Sequence, residues 1–218
     1  AASFVLLVAE RATAQSACAS QVAFFSGACF GPATVYQFTL KGFRFRKADD
    51  GKFVAVASTE KTFNAASVNA GAEVAAYISG VPTKDLIPAD ATQVTFDAVS
   101  PVLSTTWAVQ GGTGSSGGPT CFTSASGFSL TGPAVTRTVT ITEVPPGGSS
   151  VTLEGKSLTF VDATPAGLPL TVTAADAIDV SVAFDPSFGT FYTFGFGVCT
   201  NASLGPIIVT MKITITKP

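Results

Sequence analysis

Every glycine and proline of this chain lies beyond Ser26. The first 26 residues hold none, while the remainder of the 218 carries all 21 Gly and all 13 Pro. Gly and Pro punctuate turns, so an uninterrupted segment precedes a body of many short elements. The segment opens Ala1-Ala2-Ser3-Phe4-Val5-Leu6-Leu7-Val8-Ala9, almost wholly apolar, before Glu10 and Arg11. No Met starts it, and the expectation is that an upstream piece is removed and this apolar end kept. A kept apolar terminus gains most by burial. The expected place is a neighbouring copy of the same chain.

Other readings of the segment stand beside that one. A transmembrane helix needs about 20 apolar residues, and this run is far shorter. A secretory signal would use residues 5–9 as its apolar core and Ala12-Thr13-Ala14 as its cleavage site. A central strand of the chain's own sheet would also be apolar on both faces. As a strand that completes a neighbour's sheet, residues 1–9 reach about 30 Å. As a helix, residues 1–26 reach about 39 Å, and eight of them are Ala, the best helix former. Phe4, Val5, Leu6, Leu7 and Val8 would surround such a helix, which fits total burial. Their β-branched and aromatic content favours the strand. The expected division is a 1–25 assembly segment and a 26–218 body, with a break between domains at 111–118 as an option.

Charge is sparse. Only 12% of residues are charged, about half the usual share. Sparse charge favours association, which suits a protein whose faces are covered by neighbours. A net charge of −2 excludes a strongly basic nucleic-acid binder. Residues 41–61 carry Lys41, Arg44, Arg46, Lys47, Lys52 and Lys61 against Asp49, Asp50 and Glu60. Residues 62–211 are predominantly acidic, including Asp162, Asp176 and Asp179. A solvated basic hairpin guarding a sheet edge explains the first stretch. A positive end that meets a negative end of the next copy is the alternative.

The four cysteines are Cys18, Cys29, Cys121 and Cys199. None forms a C-x-x-C and there is no His, so no zinc site is expected. The favoured pairings are Cys18–Cys29 and Cys121–Cys199, as disulfides of an oxidising compartment. Asn201-Ala202-Ser203 is an N-glycosylation sequon if it lies on an exposed loop.

Thr, Ser, Val and Gly dominate the body, and period-2 alternation recurs. Strands are expected at 34–40, 43–47, 52–57, 93–99, 102–110, 168–173, 178–184 and 188–198. Asp49-Asp50-Gly51 supplies a hairpin turn. Strands 135–144 and 151–161 are expected to pair across Pro145-Pro146-Gly147-Gly148. Residues 63–79 allow a helical turn or two, weakened by Gly71. The clearest strand is the last, where Ile207, Val209, Met211, Ile213 and Ile215 alternate with a more polar set. Many short strands with regular turns imply an all-β, antiparallel β-sandwich, Ig-like or jelly-roll-like.

Little in the chain points to catalysis. Without His there is no Ser-His-Asp or Cys-His nucleophile and no His metal ligand. Asp85/Asp90 and Asp176/Asp179 are the candidate carboxylate pairs, and both read as turn residues. The 111–118 glycine-rich stretch lacks the Lys-Ser/Thr of a phosphate loop. Phe43 and Phe45 interleave with Arg44 and Arg46, as in a single-strand nucleic-acid binder. Alternation instead sends the Phe pair inward and the Arg pair outward. No catalytic residue, metal or cofactor is expected.

The apolar Ala2-Ser3-Phe4-Val5-Leu6-Leu7-Val8, the charge-poor β body and the cysteines together resemble secreted pilins that polymerise by donor-strand exchange. The cysteine spacing and the last strand depart from the chaperone–usher pattern. A weaker resemblance is to type IV pilins, with a Gly/Pro-free N-terminal helix before a β head. The first resemblance implies a structural subunit of an extracellular, cell-surface appendage, a head-to-tail homopolymer joined through Ala2, Phe4, Val5, Leu6, Leu7 and Val8. A secreted β-sandwich module that binds a glycan or another surface is the alternative, and a viral coat protein the next.

Overall fold

A computed structural model describes residues 3–5, 26–79, 82–113, 120–142, 151–160, 165–196, 198–205 and 207–216. Strands take 60% of the described residues and helices 7%. The fold is therefore all-β, and every pairing between its strands is antiparallel.

In chain order the first strands are β1 Ser3–Val5, β2 Ser26–Gly31, β3 Ala33–Lys47, β4 Phe53–Ala57 and β5 Lys61–Asn64. Helix α1 spans Ala70–Ile78. Next come β6 Gln93–Ser104, β7 Thr106–Gly111, β8 Phe122–Ser124, β9 Gly127–Ser129 and β10 Arg137–Thr140. The later strands are β11 Val151–Glu154, β12 Ser157–Phe160, β13 Leu170–Thr173 and β14 Ala177–Asp185. The last are β15 Thr190–Gly195, β16 Val198–Leu204 and β17 Ile208–Thr216.

The large sheet runs β10-β7-β3-β6-β12-β11, with β4 and β5 also on β3 and β13 also on β6. Strand β3 organises it. Its apolar residues Tyr36, Phe38, Leu40, Phe43 and Phe45 are buried, and Phe43 follows Leu40 at three residues rather than two. A register shift between Leu40 and Gly42 accounts for that. Such a bulge adds a residue and bends the strand, which lets one long strand replace the two expected at 34–40 and 43–47.

A smaller sheet, β1-β17-β14, shares the main core. Phe184 of β14 lies 5.6 Å from Phe38 of β3, ring centre to ring centre. A third sheet, β16-β15-β2, builds a second apolar cluster from Cys29, Cys121, Tyr192, Phe194, Cys199 and Ala202. Strands on both sides of 111–118 hydrogen-bond to one another, since β10 pairs with β7 and both β12 and β13 pair with β6.

Helix α1 packs against β14. A Cβ added at Gly71 would stand 2.0 Å from the Val182 carbonyl oxygen. The glycine that weakens helix propensity is thus what permits the close approach. Ala70, Val74 and Ile78 are the buried face. The helix supplies cover on a strand that, among the described residues, otherwise pairs only with β17.

Two expected features are replaced. The 135–144 and 151–161 strands do not pair. Strand β10 joins β7 instead, and β11 folds back on β12 with Glu154 opposite Ser157. Gly155 at φ +55° makes that tight turn. The break expected at Ser100-Pro101 is absent, because β6 runs on to Ser104. Pro101 lacks an N–H, and it stands where, among the described residues, β6 has one neighbour only. On the second edge β13 reaches no further than Phe96, and β12 begins opposite Val102.

Two of the three tyrosines are wholly buried, Tyr36 and Tyr192. The Tyr36 hydroxyl donates to the Gly205 carbonyl at 2.9 Å. Burial raises both phenols, Tyr192 to about 12 and Tyr36 further. An unfolded tyrosine ionises near 10. A raised folded pKa leaves stability intact below about pH 10 and removes it as the pH climbs toward the folded values. In an alkaline titration, phenolate absorbance and loss of β-sheet circular dichroism should rise together. Full ionisation of all three tyrosines near pH 10 in a still-folded protein would contradict this burial.

Candidate assembly site

Strand β17 has two edges. One pairs along its whole length with β14, from Asp185–Ile208 to Ala177–Thr216. Among the described residues the other edge carries only short partners. Ser3, Phe4 and Val5 lie opposite Thr210, Val209 and Ile208. Beyond them Ala166 forms a single parallel bridge with Lys212, donating to the Met211 carbonyl and accepting from Ile213. Among the described residues, the N-terminal strand pairs with β17 alone.

Val209 and Met211 reach from β17 toward the large sheet. Between them and Phe38, Leu40, Leu103 and Trp107 lies an apolar cavity of about 60 Å³. An apolar cavity holds no partner for water and accepts an apolar group instead. The arrangement can therefore take an added strand at the β17 edge and an apolar side chain in the space beside it. The cavity has no counterpart in the sequence pattern, because its walls come from β3, β6, β7, β14 and β17 and from helix α1.

Of the expected assembly residues, Phe4 and Val5 stand in β1. Ala2, Leu6, Leu7 and Val8 fall outside the described residues, as does the rest of the 1–25 segment beyond Ser3–Val5. Cys121 and Cys199 form the expected disulfide. Cys29 is disulfide-bonded too, while Cys18 lies outside the described residues. Asn201 sits within strand β16, half-buried, rather than on an exposed loop. Its Oδ1 accepts from Arg137 Nη1 at 3.0 Å. Arg137 also donates to the Ala202 carbonyl. The sequon's amide oxygen is therefore engaged in the fold.

The basic stretch is largely neutralised inside the chain. Arg46 makes two hydrogen bonds to Asp97, at 2.8 and 3.1 Å. Lys47 donates to Asp50 at 2.7 Å, Lys52 also pairs with Asp50, and Lys41 reaches Glu60 at 3.7 Å. Arg44 donates to Ser100 and covers the Phe53 ring. Hydrogen bonds from Lys47 and from the Lys52 backbone N–H hold the Asp50 carboxyl well below its ordinary range. Phe43 and Phe45 point inward and Arg44 and Arg46 outward, as alternation predicts. Ion pairs of this exposed kind are weak. With its cations already partnered, the hairpin offers little for steering another copy.

Three of the acidic candidates take part in turns or strand pairing. Asp176 accepts from both the backbone N–H and the hydroxyl of Thr173, closing the turn after β13. Asp179 accepts from Thr216 across the β14–β17 pair. Asp85 ends a short 3-10 turn, Thr83–Asp85. Among the described residues there is no cluster of three or more metal-ligating side chains, and no helix long and apolar enough to cross a membrane. No protein-family model matches the chain, and no characterised protein or solved structure is similar enough to match.

Proposed function

We propose that this chain is a structural subunit of an extracellular filament, a homopolymer in which the apolar N-terminal segment of one copy adds to the β17 edge of the next. The observation that carries this reading is the placement of Ser3–Val5 on that edge, beside an apolar cavity. Three paired residues make a short strand, and residues 6–25 link it to β2. A short edge strand on a long connection is suited to exchange between copies, because the neighbour's strand makes the same contacts. Exchange then gains whatever further apolar area residues 6–8 bury in the next subunit, at about 25 cal/mol per Å². Such an interface is heterologous and open-ended, which yields a filament rather than a closed dimer. The Cys121–Cys199 disulfide is compatible with export to an oxidising compartment.

The second reading is a secreted β module that binds a glycan or another surface. It is favoured by the same pairing taken at face value, since Ser3–Val5 lies on the chain's own β17. There the strand simply completes the fold.

The two readings separate in one experiment. Deleting residues 1–10 should abolish polymers seen by negative-stain microscopy while the β body keeps its circular dichroism. Leu6→Asp should do the same, because an unpaired charge costs several kcal/mol to bury. Normal filaments from the deleted chain would overturn the filament reading. A wild-type chain that stays monomeric and loses stability on deletion would favour the binding module.

A further inference from the structure

Strand β17 offers the N-terminal strand a window of three residues. At one end Val5 stands opposite Ile208, where β17 begins. At the other end Ser3 stands opposite Thr210, and the residues of β17 that follow are already engaged on that edge. Ala166 donates its backbone N–H to the Met211 carbonyl at 3.3 Å and accepts from the Ile213 N–H at 2.8 Å. Its bridge to Lys212 is parallel while Ser3–Val5 runs antiparallel, so two separate pieces of chain share the edge.

The loop that carries Ala166 is held in place. Leu168 packs against the main core, and β13 follows at Leu170, paired with Phe96 of the large sheet. Gly167, at φ +104°, lies so close to β17 that an added Cβ would stand 1.8 Å from the Ile213 carbonyl oxygen. Only glycine permits that approach.

The segment's own sequence does little to choose a register. A slip by one residue exchanges the two faces of a strand, and register is enforced where the exchange moves apolar side chains into water. Phe4-Val5-Leu6-Leu7-Val8 is apolar on both faces, so the exchange costs it little. The register has to be set from outside the segment.

We propose that Ala166 and Gly167 are a register stop, which holds Phe4 opposite Val209 by occupying β17 beyond Thr210. A slip toward Thr216 has to strip Ala166 of both its backbone hydrogen bonds to β17. A slip the other way runs past Ile208, the first residue of β17. The stop acts on any strand at this edge, and that the strand comes from a neighbouring copy rests on the filament reading. In a filament, a slip of two residues would change the spacing of neighbouring subunits by about 7 Å. The stop therefore keeps subunits evenly spaced.

Two cysteine pairs read the register in the full chain, oxidised in its assembled state. Phe4→Cys with Val209→Cys reports the observed register. Phe4→Cys with Met211→Cys reports a slip of two residues, because without a slip these positions are diagonal, about 7–8 Å apart, and beyond the reach of a disulfide. Peptide mapping without reduction gives both yields. With Gly167 in place, the bond to position 209 should form in at least about tenfold greater yield than the bond to 211, since a slip forfeits two backbone hydrogen bonds. Gly167→Val pushes the loop off β17. The two yields should then become comparable, and the Ile213 amide should exchange its hydrogen faster. If Gly167→Val loses its β-sheet circular dichroism, Ala166→Pro decides, because it removes the donor to Met211 and leaves Gly167 alone. An unchanged ratio of yields in the folded loop variant would overturn the proposal, as would comparable yields with the native loop. Whether the bonded residues belong to one chain or to two reports on the filament reading alone, so each can fail without the other.

Discussion

Replacing Cys121 and Cys199 together by serine is expected to lower unfolding stability by about 4 kcal/mol. The bond joins residues 78 apart in sequence. By the chain-entropy account a closed loop of that length lies between the values of about 3 kcal/mol for 15 residues and about 4.7 for 100. The two sulfurs also form part of the second core, with Tyr192, Phe194 and Ala202 packed around them. That core is small and has few other apolar members, so the staple carries a large share of its stability. Urea denaturation should show a lower midpoint and a steeper dependence on urea, because the unlinked chain exposes more surface when unfolded. A loss below about 1 kcal/mol would mean that the β15–β16 sheet holds without it.

Trp107→Ala is expected to cost about 3–5 kcal/mol, the usual range for a buried tryptophan. Trp107 is the single tryptophan of the chain and is almost wholly buried. Its ring meets Tyr36 edge-on at 5.8 Å and Phe38 at 5.9 Å. Its Nε1 donates to the Ser104 carbonyl at 2.7 Å, fixing the turn between β6 and β7. Removing the ring also enlarges the apolar cavity that it lines, and the cost grows with cavity volume. Trp107→Phe keeps most of the volume but loses the hydrogen bond to Ser104, and should cost less. Thermal or urea unfolding of the two variants measures both. Equal stability of Trp107→Ala and wild type would contradict the packing described.

Local pattern made several elements legible. The alternation of Met211, Lys212, Ile213 and Thr214 announces β17, because one face is buried and the other wet. Asp49-Asp50-Gly51 announces its turn, because Gly51 must take φ +69° there. The inward Phe43 and Phe45 follow from the same period. What escaped depended on distant partners. The 151–160 hairpin turns at Glu154-Gly155-Lys156, a quieter signal than Pro145-Pro146-Gly147-Gly148, and the louder one misled the pairing. Helix α1 was weakened on paper by Gly71, whose value appears only against Val182. The bulge that fuses 33–47 into one strand is set by β6 alongside it. Of the candidate site, the strand at Ser3–Val5 was legible in the β-branched and aromatic content of its segment. The β17 edge and its cavity were not, since residues from five strands and a helix build the walls.

The central claim is that a neighbour's N-terminal strand occupies the β17 edge. Phe4 and Val209 are direct cross-strand partners there. A chain carrying Phe4→Cys and Val209→Cys, oxidised in its assembled state, reports whose strand sits on whose edge. Peptide mapping without reduction separates the new bond from the native Cys121–Cys199 bond. Strand exchange predicts a ladder of covalent oligomers, each link joining residue 4 of one chain to residue 209 of the next. A quantitative yield of singly closed monomers, with both ends of the bond in one chain, would contradict it.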